Sequence, residues 1–407
     1  MAGGARYYGW TIAWALGATT TVSWGILFYA FSVFLRPMEA DLGWTRAELS
    51  GAFTIALVVS GLVAPIAGRW IDRHGARALM TGGSILGTLL LLAWAAVRSL
   101  PPFYLVWTGI GVAMACTLYD PAFAVLARWF DRGRGRAMMI VTLLAGLAST
   151  IFLPVAAWLV ELQGWRAALV SLAVILAVAT IPPHALLLRR RPEDLGLDPD
   201  PPLEPASRFA APTAGSAVGG SFRSLLTYPP FVWLAVAFWL YGLASVGLGI
   251  HLVPYLSERG YPPTLAALAT GAVGAAQLLG RIAFAPLEGR VPRRWLVAAT
   301  LGAQPLALLA LLGVPGEPGL YAFIVLFGIS RGAATLARAT LVASRYGPAR
   351  FGAVNGALSL AVTFAHAFAP VALGAAHDVL SSYEPALWVL LTLGVVATAA
   401  VVLAEPD

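Results

Sequence analysis

Eight residues could do polar chemistry in stretches that are otherwise almost wholly apolar: Tyr119, Asp120, His251, Gln277, Arg281, Arg331, Arg338 and His366. An ionised group in apolar surroundings is costly unless it meets an opposite charge or water. Such residues therefore report on what the chain handles. Arg281 closes a stripe with Thr270, Gly274 and Gln277 at helical spacing. Its planar fork suits a carboxylate, held by two parallel hydrogen bonds; a structural arginine paired near a membrane face is the alternative. Arg331, Thr335 and Arg338 recur at i, i+4 and i+7 and share one helix face. Two cations there demand an anionic solute, or acidic and carbonyl partners in the same half of the chain. Asp120 stands in Tyr119-Asp120-Pro121, where Pro121 lacks an amide hydrogen and leaves the Thr117 carbonyl without its helical donor. Three roles fit Asp120: gate or counter-ion, with Arg338 as partner; proton carrier; or structural residue. His251 and His366 carry imidazoles that titrate near neutral pH and could relay protons, and each could equally be a packing residue. Tyr119 offers a phenol to a carboxylate, or packs as an aromatic.

These side chains need elements that hold them at depth in a bilayer. The chain has 407 residues, 59% hydrophobic and 11% charged, with mean hydropathy +0.80. Soluble domains carry about 25% charged residues, so water is not the solvent that this surface fits. Twelve apolar runs are long enough to span, at roughly 10–35, 47–69, 78–97, 102–127, 137–160, 166–188, 230–256, 264–287, 295–313, 319–344, 351–376 and 385–404. A Pro-, Ala-, Ser- and Gly-rich stretch divides them six and six. The expected organisation is an N-terminal bundle (1–190), a cytoplasmic linker (191–227) and a C-terminal bundle (228–407). The fold class is then an all-α membrane protein of twelve transmembrane helices in two pseudo-symmetric six-helix bundles. All 26 basic residues are arginine. Eighteen of them fall on one side and five, Arg36, Arg46, Arg98, Arg166 and Arg259, on the other. The positive-inside rule then sets both termini in the cytoplasm. Thr45-Arg46-Ala47-Glu48 fits a capping box at the start of the second span.

The composition also excludes classes. A net charge of +7 dispersed in short loops is a topology signal and not a nucleic-acid face. Without lysine there is neither a Schiff-base amine nor a phosphate-loop lysine. The single cysteine, Cys116, allows no internal disulfide, and no ligand cluster suggests a metal or cofactor.

The chain also repeats itself at one offset, the 217 positions from Pro37 to Pro254. Gly43 and Gly260, Arg73 and Arg290, Arg77 and Arg294, Gly111 and Gly328, Arg128 and Arg345 share it, as do Asp41 and Glu258. Duplicated membrane units meeting at a seam are the architecture of secondary transporters, with the substrate site at the repeat interface. Gly271, Gly274, Gly280, Gly356 and Gly374 are expected to mark close helix contacts.

Between the second and third spans lies Gly68-Arg69-Trp70-Ile71-Asp72-Arg73-His74-Gly75-Ala76-Arg77. Gly68 would allow close helix approach, Asp72 could pair with arginines, and Gly75 would supply a tight turn. This spacing of Gly68, Asp72, Arg73, Gly75 and Arg77 resembles the loop signature of the major facilitator superfamily. A second copy, ending in Gly289-Arg290 and Arg294, has lost its acid. The resemblance implies the major facilitator fold and a conformational, latching role for Asp72 and Arg73.

A narrower resemblance rests on Tyr8-Gly9-Trp10, Leu42-Gly43-Trp44-Thr45-Arg46, Arg128-Trp129-Phe130 with Arg134-Gly135-Arg136, and Gly164-Trp165-Arg166. These are similar to the bacterial branch of monocarboxylate transporters and oxalate–formate antiporters. That branch moves small organic anions, often with a proton. The resemblance implies substrate-binding roles for Arg281 and His251. It departs in the missing lysines of the first or eleventh helix, and in Gln277 where those carriers have an aspartate. These departures leave the substrate and the usual proton site open.

The expectation is a secondary active transporter in the bacterial cytoplasmic membrane, working as a monomer by alternating access. Its cargo would be a small organic anion, coupled to protons, bound by Arg281, Tyr119, His251, Gln277 and Arg331; Asp120, Arg338 and His366 would serve as gate or proton-coupling residues. The alternatives are an efflux carrier for amphipathic molecules and, more remotely, a transporter-fold sensor. No clustered nucleophile and base suggests an enzyme.

Overall fold

The computed structural model describes residues 7–130, 133–198, 229–287 and 290–404, with side chains at all of these except 285, 339–340, 343–357, 359 and 360. Most of the expected linker, and Gly289 of the second loop copy, lie outside the described residues. The chain divides into two compact units. Unit 1 comprises Met1–Leu42 and Ile55–Ala211; unit 2 comprises Gly43–Thr54 and Pro212–Asp407.

In chain order the helices are α1 (Tyr8–Ser23), a π-helical segment (Trp24–Tyr29), α2 (Phe31–Leu42), α3 (Arg46–His74), α4 (Ala76–Ala96), α5 (Leu100–Thr117), α6 (Tyr119–Trp129), α7 (Arg134–Ala145) and α8 (Ala148–Leu186). After the linker come α9 (Pro229–Glu258), α10 (Pro263–Leu287), α11 (Arg293–Gly313), α12 (Glu317–Leu380) and α13 (Glu384–Ala404). Ten helical stretches among the described residues are long and apolar enough to cross a membrane. The difference from the twelve expected runs has two sources. Spans five and six lie in one helical stretch, Arg134–Leu186. It is kinked at Gly164, whose φ of 77° is a conformation that glycine adopts without steric cost. Spans ten and eleven likewise fall in the single helical run of α12, of which Glu317–Arg338 alone is counted.

The repeat offset reappears in the helix boundaries. α3 starts at Arg46 and α10 at Pro263, α4 starts at Ala76 and α11 at Arg293, and α5 starts at Leu100 and α12 at Glu317. The capping box forms as expected: Thr45 N donates to Glu48 at 2.8 Å, and Glu48 N to the Thr45 hydroxyl at 3.2 Å. Aromatic side chains fill the interior of unit 1, with the Trp94 and Trp107 rings 4.8 Å apart and Phe31 4.8 Å from Trp107. A second core in unit 2 gathers Phe231, Phe238, Tyr241, Leu301 and Leu341. The outer faces are also apolar: Leu62 is 70% exposed, Leu105 72% and Ile282 70%. Large apolar side chains at such exposure fit lipid and not water. The chain is a multi-pass membrane protein.

Glycines set the closest approaches in unit 2. A Cβ at Gly332 of α12 would overlap the backbone of Gln277 on α10, and one at Gly280 of α10 would overlap the backbone of Ile329. Gly68 behaves differently from expectation: a Cβ there would meet nothing within 4 Å. Close packing therefore does not require glycine at that position. Gly332→Val is expected to lower the apparent Tm in detergent, at a cost of about 1–3 kcal/mol for overpacking. Gly68→Ala should hold the melting temperature or raise it slightly, since alanine is favoured over glycine in a helix interior.

Candidate functional site

α9, α10 and α12 enclose a cavity of about 250 Å³ inside unit 2. Its polar lining is Tyr241, Ser245, Gln277, Arg331, Thr335, Arg338 and His366, and its apolar lining includes Phe238, Val246 and Val362. No carboxylate is among the described lining residues. Four sequence candidates therefore share one cavity: Gln277, Arg331, Arg338 and His366. Gly242 leaves room for the His366 ring, whose Nε2 would stand 3.2 Å from a Cβ there.

The hydrogen-bond donors of this lining divide into spent and free. Ser330 donates its hydroxyl hydrogen to the Thr300 carbonyl at 2.7 Å, so the Tyr241 hydroxyl at 3.2 Å must donate to Ser330. Thr335 donates to the Gly332 carbonyl at 3.1 Å within its own helix. Neither Arg331 nor Arg338 makes a hydrogen bond or ion pair with a described residue. The Arg331 guanidinium carbon sits 5.7 Å from the centre of the Phe327 ring, a cation–π contact that supplies part of what an anion would. The donors left facing the cavity are thus mainly two guanidinium groups and an amide.

Other candidates lie elsewhere. Arg281, one turn beyond Gln277 on α10, is half-buried and does not line the cavity. His251 is 1% exposed and engaged at both nitrogens: Nε2 is 2.8 Å from the Pro370 carbonyl, and Nδ1 is 2.7 Å from the Tyr383 hydroxyl. A carbonyl only accepts, so Nε2 carries the hydrogen and Nδ1 of the neutral ring accepts from Tyr383.

Unit 1 holds Tyr119 and Asp120, where the fourth span is interrupted. The chain leaves helical geometry at Leu118 (φ −85°, ψ −150°), directly after the Thr117 carbonyl that Pro121 cannot serve. α6 restarts at Tyr119, which puts Asp120 in the first turn of a half-helix, where the dipole favours an anion. Tyr119 stacks on Phe123 (5.2 Å, 15°) and contacts Trp24 (5.2 Å).

Three residues beside them escaped sequence reasoning. Thr20 Oγ1, Ser23 Oγ and Trp24 Nε1 are buried with no hydrogen-bond partner among the described residues. Their spacing, i, i+3 and i+4, puts them on one face where α1 gives way to the π-helical segment. π-bulges frequently mark functional positions. The Thr19-Thr20-Thr21 run with Ser23 in an apolar span was the available signal.

The loop motif is an ordered node in unit 1. Gly75 has φ +84° and turns the chain after α3. Arg128 reaches the carbonyls of Ile71 (3.4 Å) and Asp72 (3.3 Å), with its Nη2 3.9 Å from the Asp72 carboxylate. Arg190 Nη2 donates to the Arg73 carbonyl at 2.5 Å. Arginines thus cover the carbonyls at the C-terminal end of α3, where the dipole favours cations. The side chains of Arg73 and Arg77 are exposed. No cluster of potential metal ligands occurs among the described residues.

Comparison with known proteins agrees with this architecture. The family model of the Major Facilitator Superfamily matches residues 13–370 and 254–407. The chain belongs to that superfamily, and it is a transporter and not an enzyme. Monocarboxylate transporter 13 of Bos taurus is 30% identical over 336 residues, covering 81% of this chain and 73% of that protein. Monocarboxylate transporter 11 of Homo sapiens is 30% identical over 371 residues, covering 86% and 70%. The oxalate:formate antiporter of Oxalobacter formigenes is 28% identical over 157 residues, covering 38% and 36%. Among solved structures, a point mutant of the nucleoside transporter NupG superposes with a TM-score of 0.70 at 16% identity, covering 98% of this chain and 99% of that one. A bacterial homologue of the human lysosomal transporter Spinster gives 0.69 at 16%, covering 98% and 95%.

Gly75→Ala is expected to destabilise the loop node by about 1–2 kcal/mol, the cost of a left-handed non-glycine residue. The new Cβ would also stand 2.8 Å from Arg190 Cγ. The measurement is the apparent Tm, which should fall below that of Asp72→Asn, whose exposed ion pair contributes little.

Proposed function

We propose that the protein carries a small organic anion, of the monocarboxylate type, across the cytoplasmic membrane by alternating access, coupled to protons. One observation carries this reading: a cavity in unit 2 presents two guanidinium groups without an acid among its lining residues. A charge at membrane depth needs a partner, and a carboxylate solute supplies one for Arg331 and Arg338. Gln277 and His366 complete the donor set. The similarity to monocarboxylate transporters 13 and 11 supports the same cargo class. Orientation follows the arginine bias, with both termini and the Asp72 node in the cytoplasm. In this reading Arg281 is a supporting cation one turn away from the cavity. Asp120, an acid at a half-helix start, is the gate or proton-coupling residue of this reading.

Counterflow in proteoliposomes against a panel of labelled carboxylates tests the reading, with and without a pH gradient. Arg331→Gln and Arg338→Gln are each expected to reduce exchange by about 10-fold or more, the loss for a buried charge-assisted hydrogen bond. Exchange that survives both substitutions rejects the anion clamp; exchange indifferent to the pH gradient rejects proton coupling.

A further inference from the structure

Four ionisable side chains meet in unit 2, where α3 begins and α9 and α12 end. Arg46 Nη2 lies 2.5 Å from Glu258 Oε1, and His377 Nε2 lies 3.1 Å from the same oxygen. The carboxylate of Asp378 accepts from the backbone amides of Arg46 (3.1 Å) and Ala47 (2.8 Å). A carboxylate at the end of α12 thereby caps the start of α3, more than three hundred residues away in sequence. Tyr383 forms the floor, with its ring 4.5 Å from the His377 ring and 5.0 Å from the Arg46 guanidinium carbon. Gly374, one helical turn before Asp378, brings the backbones together: a Cβ there would stand 2.5 Å from Ser50 Oγ and 2.7 Å from the Arg46 carbonyl oxygen. Arg46 is only 3% exposed.

The state of His377 decides the balance of this cluster. Nε2–H donates to Glu258, so in a neutral ring Nδ1 presents a lone pair. That lone pair lies 3.8 Å from Asp378 Oδ1 and has no hydrogen-bond partner among the described residues. Two acceptors face each other across that gap. The cluster then holds one cation, Arg46, against two carboxylates, Glu258 and Asp378. A proton on Nδ1 turns the repulsion into attraction and brings the charges to balance, with no other bond made or broken. The neighbouring groups do not supply this compensation. Arg259 is paired with Glu384 at 2.9 Å, Glu48 is held by Thr45, Tyr255 lies against Tyr383, and His251 is spent on Pro370 and Tyr383.

We propose that this cluster is a proton-binding latch: a proton on His377 fastens the first turns of α3 to α9 and α12, and its loss loosens them. Histidine is the side chain that ordinarily changes charge between about pH 5 and about pH 8. Residues Gly43–Thr54 group with unit 2 while the remainder of α3 groups with unit 1, so this cluster is what ties the first turns of α3 to α9 and α12 within unit 2. The latch sits at the opposite end of α3 from the Asp72 node, on the side that the arginine bias makes external. Acid outside then holds that end shut, and alkali frees it. From the anion reading it needs only that the carrier alternates.

The test is electron–electron resonance between spin labels on Ala40→Cys and Pro385→Cys, both exposed, in a Cys116→Ala background in lipid nanodiscs. No cargo is required, so a failure here leaves anion exchange standing. Acidification from about pH 8 to about pH 5 is expected to raise the ratio of short-distance to long-distance populations about 2–5-fold, the scale of a partly exposed ion pair. His377→Gln keeps a donor for Glu258 but takes no proton, so its distances should not respond to pH. Asp378→Asn keeps one of the two cap acceptors, removes the charge and should also flatten the response. Glu258→Gln should shift the population to long distances at both pH values. A wild-type distribution that ignores pH, or a pH response that persists in both His377→Gln and Asp378→Asn, overturns the latch.

Discussion

The structure depends on one constraint: a charged group surrounded by lipid-facing helices must find a countercharge, a dipole or a solute. Most of the described charges meet it locally. Arg128 and Arg190 satisfy the carbonyl end of α3, and Arg46 meets Glu258 while the start of α3 is capped by Asp378. Arg331 and Arg338 are the exception. They line a cavity without an acid, and Phe327 supplies only a ring face to the first of them. Helix packing alone gives no reason to place two guanidinium groups there, since removing one partner of a buried interaction is what usually costs stability. The proposed anionic cargo supplies such a reason, and that is why the functional reading rests on these two residues.

Fold and site were legible in the sequence to different depths. Several local signals have direct counterparts in the structure. Apolar runs gave the spans, Thr45 and Glu48 gave the cap, and Gly75 gave the positive-φ turn. Helical spacing put Arg331, Thr335 and Arg338 on one face, and all three line the cavity with Gln277. Signals that depend on tertiary geometry were not legible. Gly68 looked like a packing glycine, yet its missing Cβ faces open space, while Gly374 and Gly280 do set close approaches. The break at Leu118 was half visible: Pro121 announced a lost hydrogen bond, but whether the helix bends or restarts depends on what packs around it. His251 looked like a relay and is instead held at both nitrogens by residues far along the chain. The Arg46–Glu258–His377–Asp378 cluster was invisible because its members come from helix ends that only folding brings together.

The duplication sharpens the meaning of that cluster. Asp41 and Glu258 occupy the same place in the two copies, at the ends of α2 and α9. In unit 1 Asp41 is satisfied by its own bundle, through Arg166 Nη2 and Trp165 Nε1, both at 3.2 Å. At the same offset Arg166 corresponds to Tyr383, which carries no charge. Glu258 therefore lacks the partner its position inherited, and it turns to Arg46 and His377. These two have no like residue in the other copy either: Pro263 stands opposite Arg46, and Val160 opposite His377.

A carrier built from two copies of one unit has, by default, two equivalent ends. Its cycle acquires a direction only where the copies differ in something that an ion gradient can act on. The described structure places such differences at both ends of α3. One end carries exposed Asp72, Arg73 and Arg77 around a turn fixed by Gly75, with backbone carbonyls held by arginine. Its one imidazole, His74, is exposed and stacks on Trp70 at 4.6 Å. The other end carries an imidazole between two carboxylates, under a glycine contact that leaves no slack. The first arrangement rests on backbone contacts around a fixed turn, and the second on the balance of charge among its side chains. On the proposed reading an ion gradient acts at the imidazole end of α3, while the Asp72 end is held by its backbone contacts.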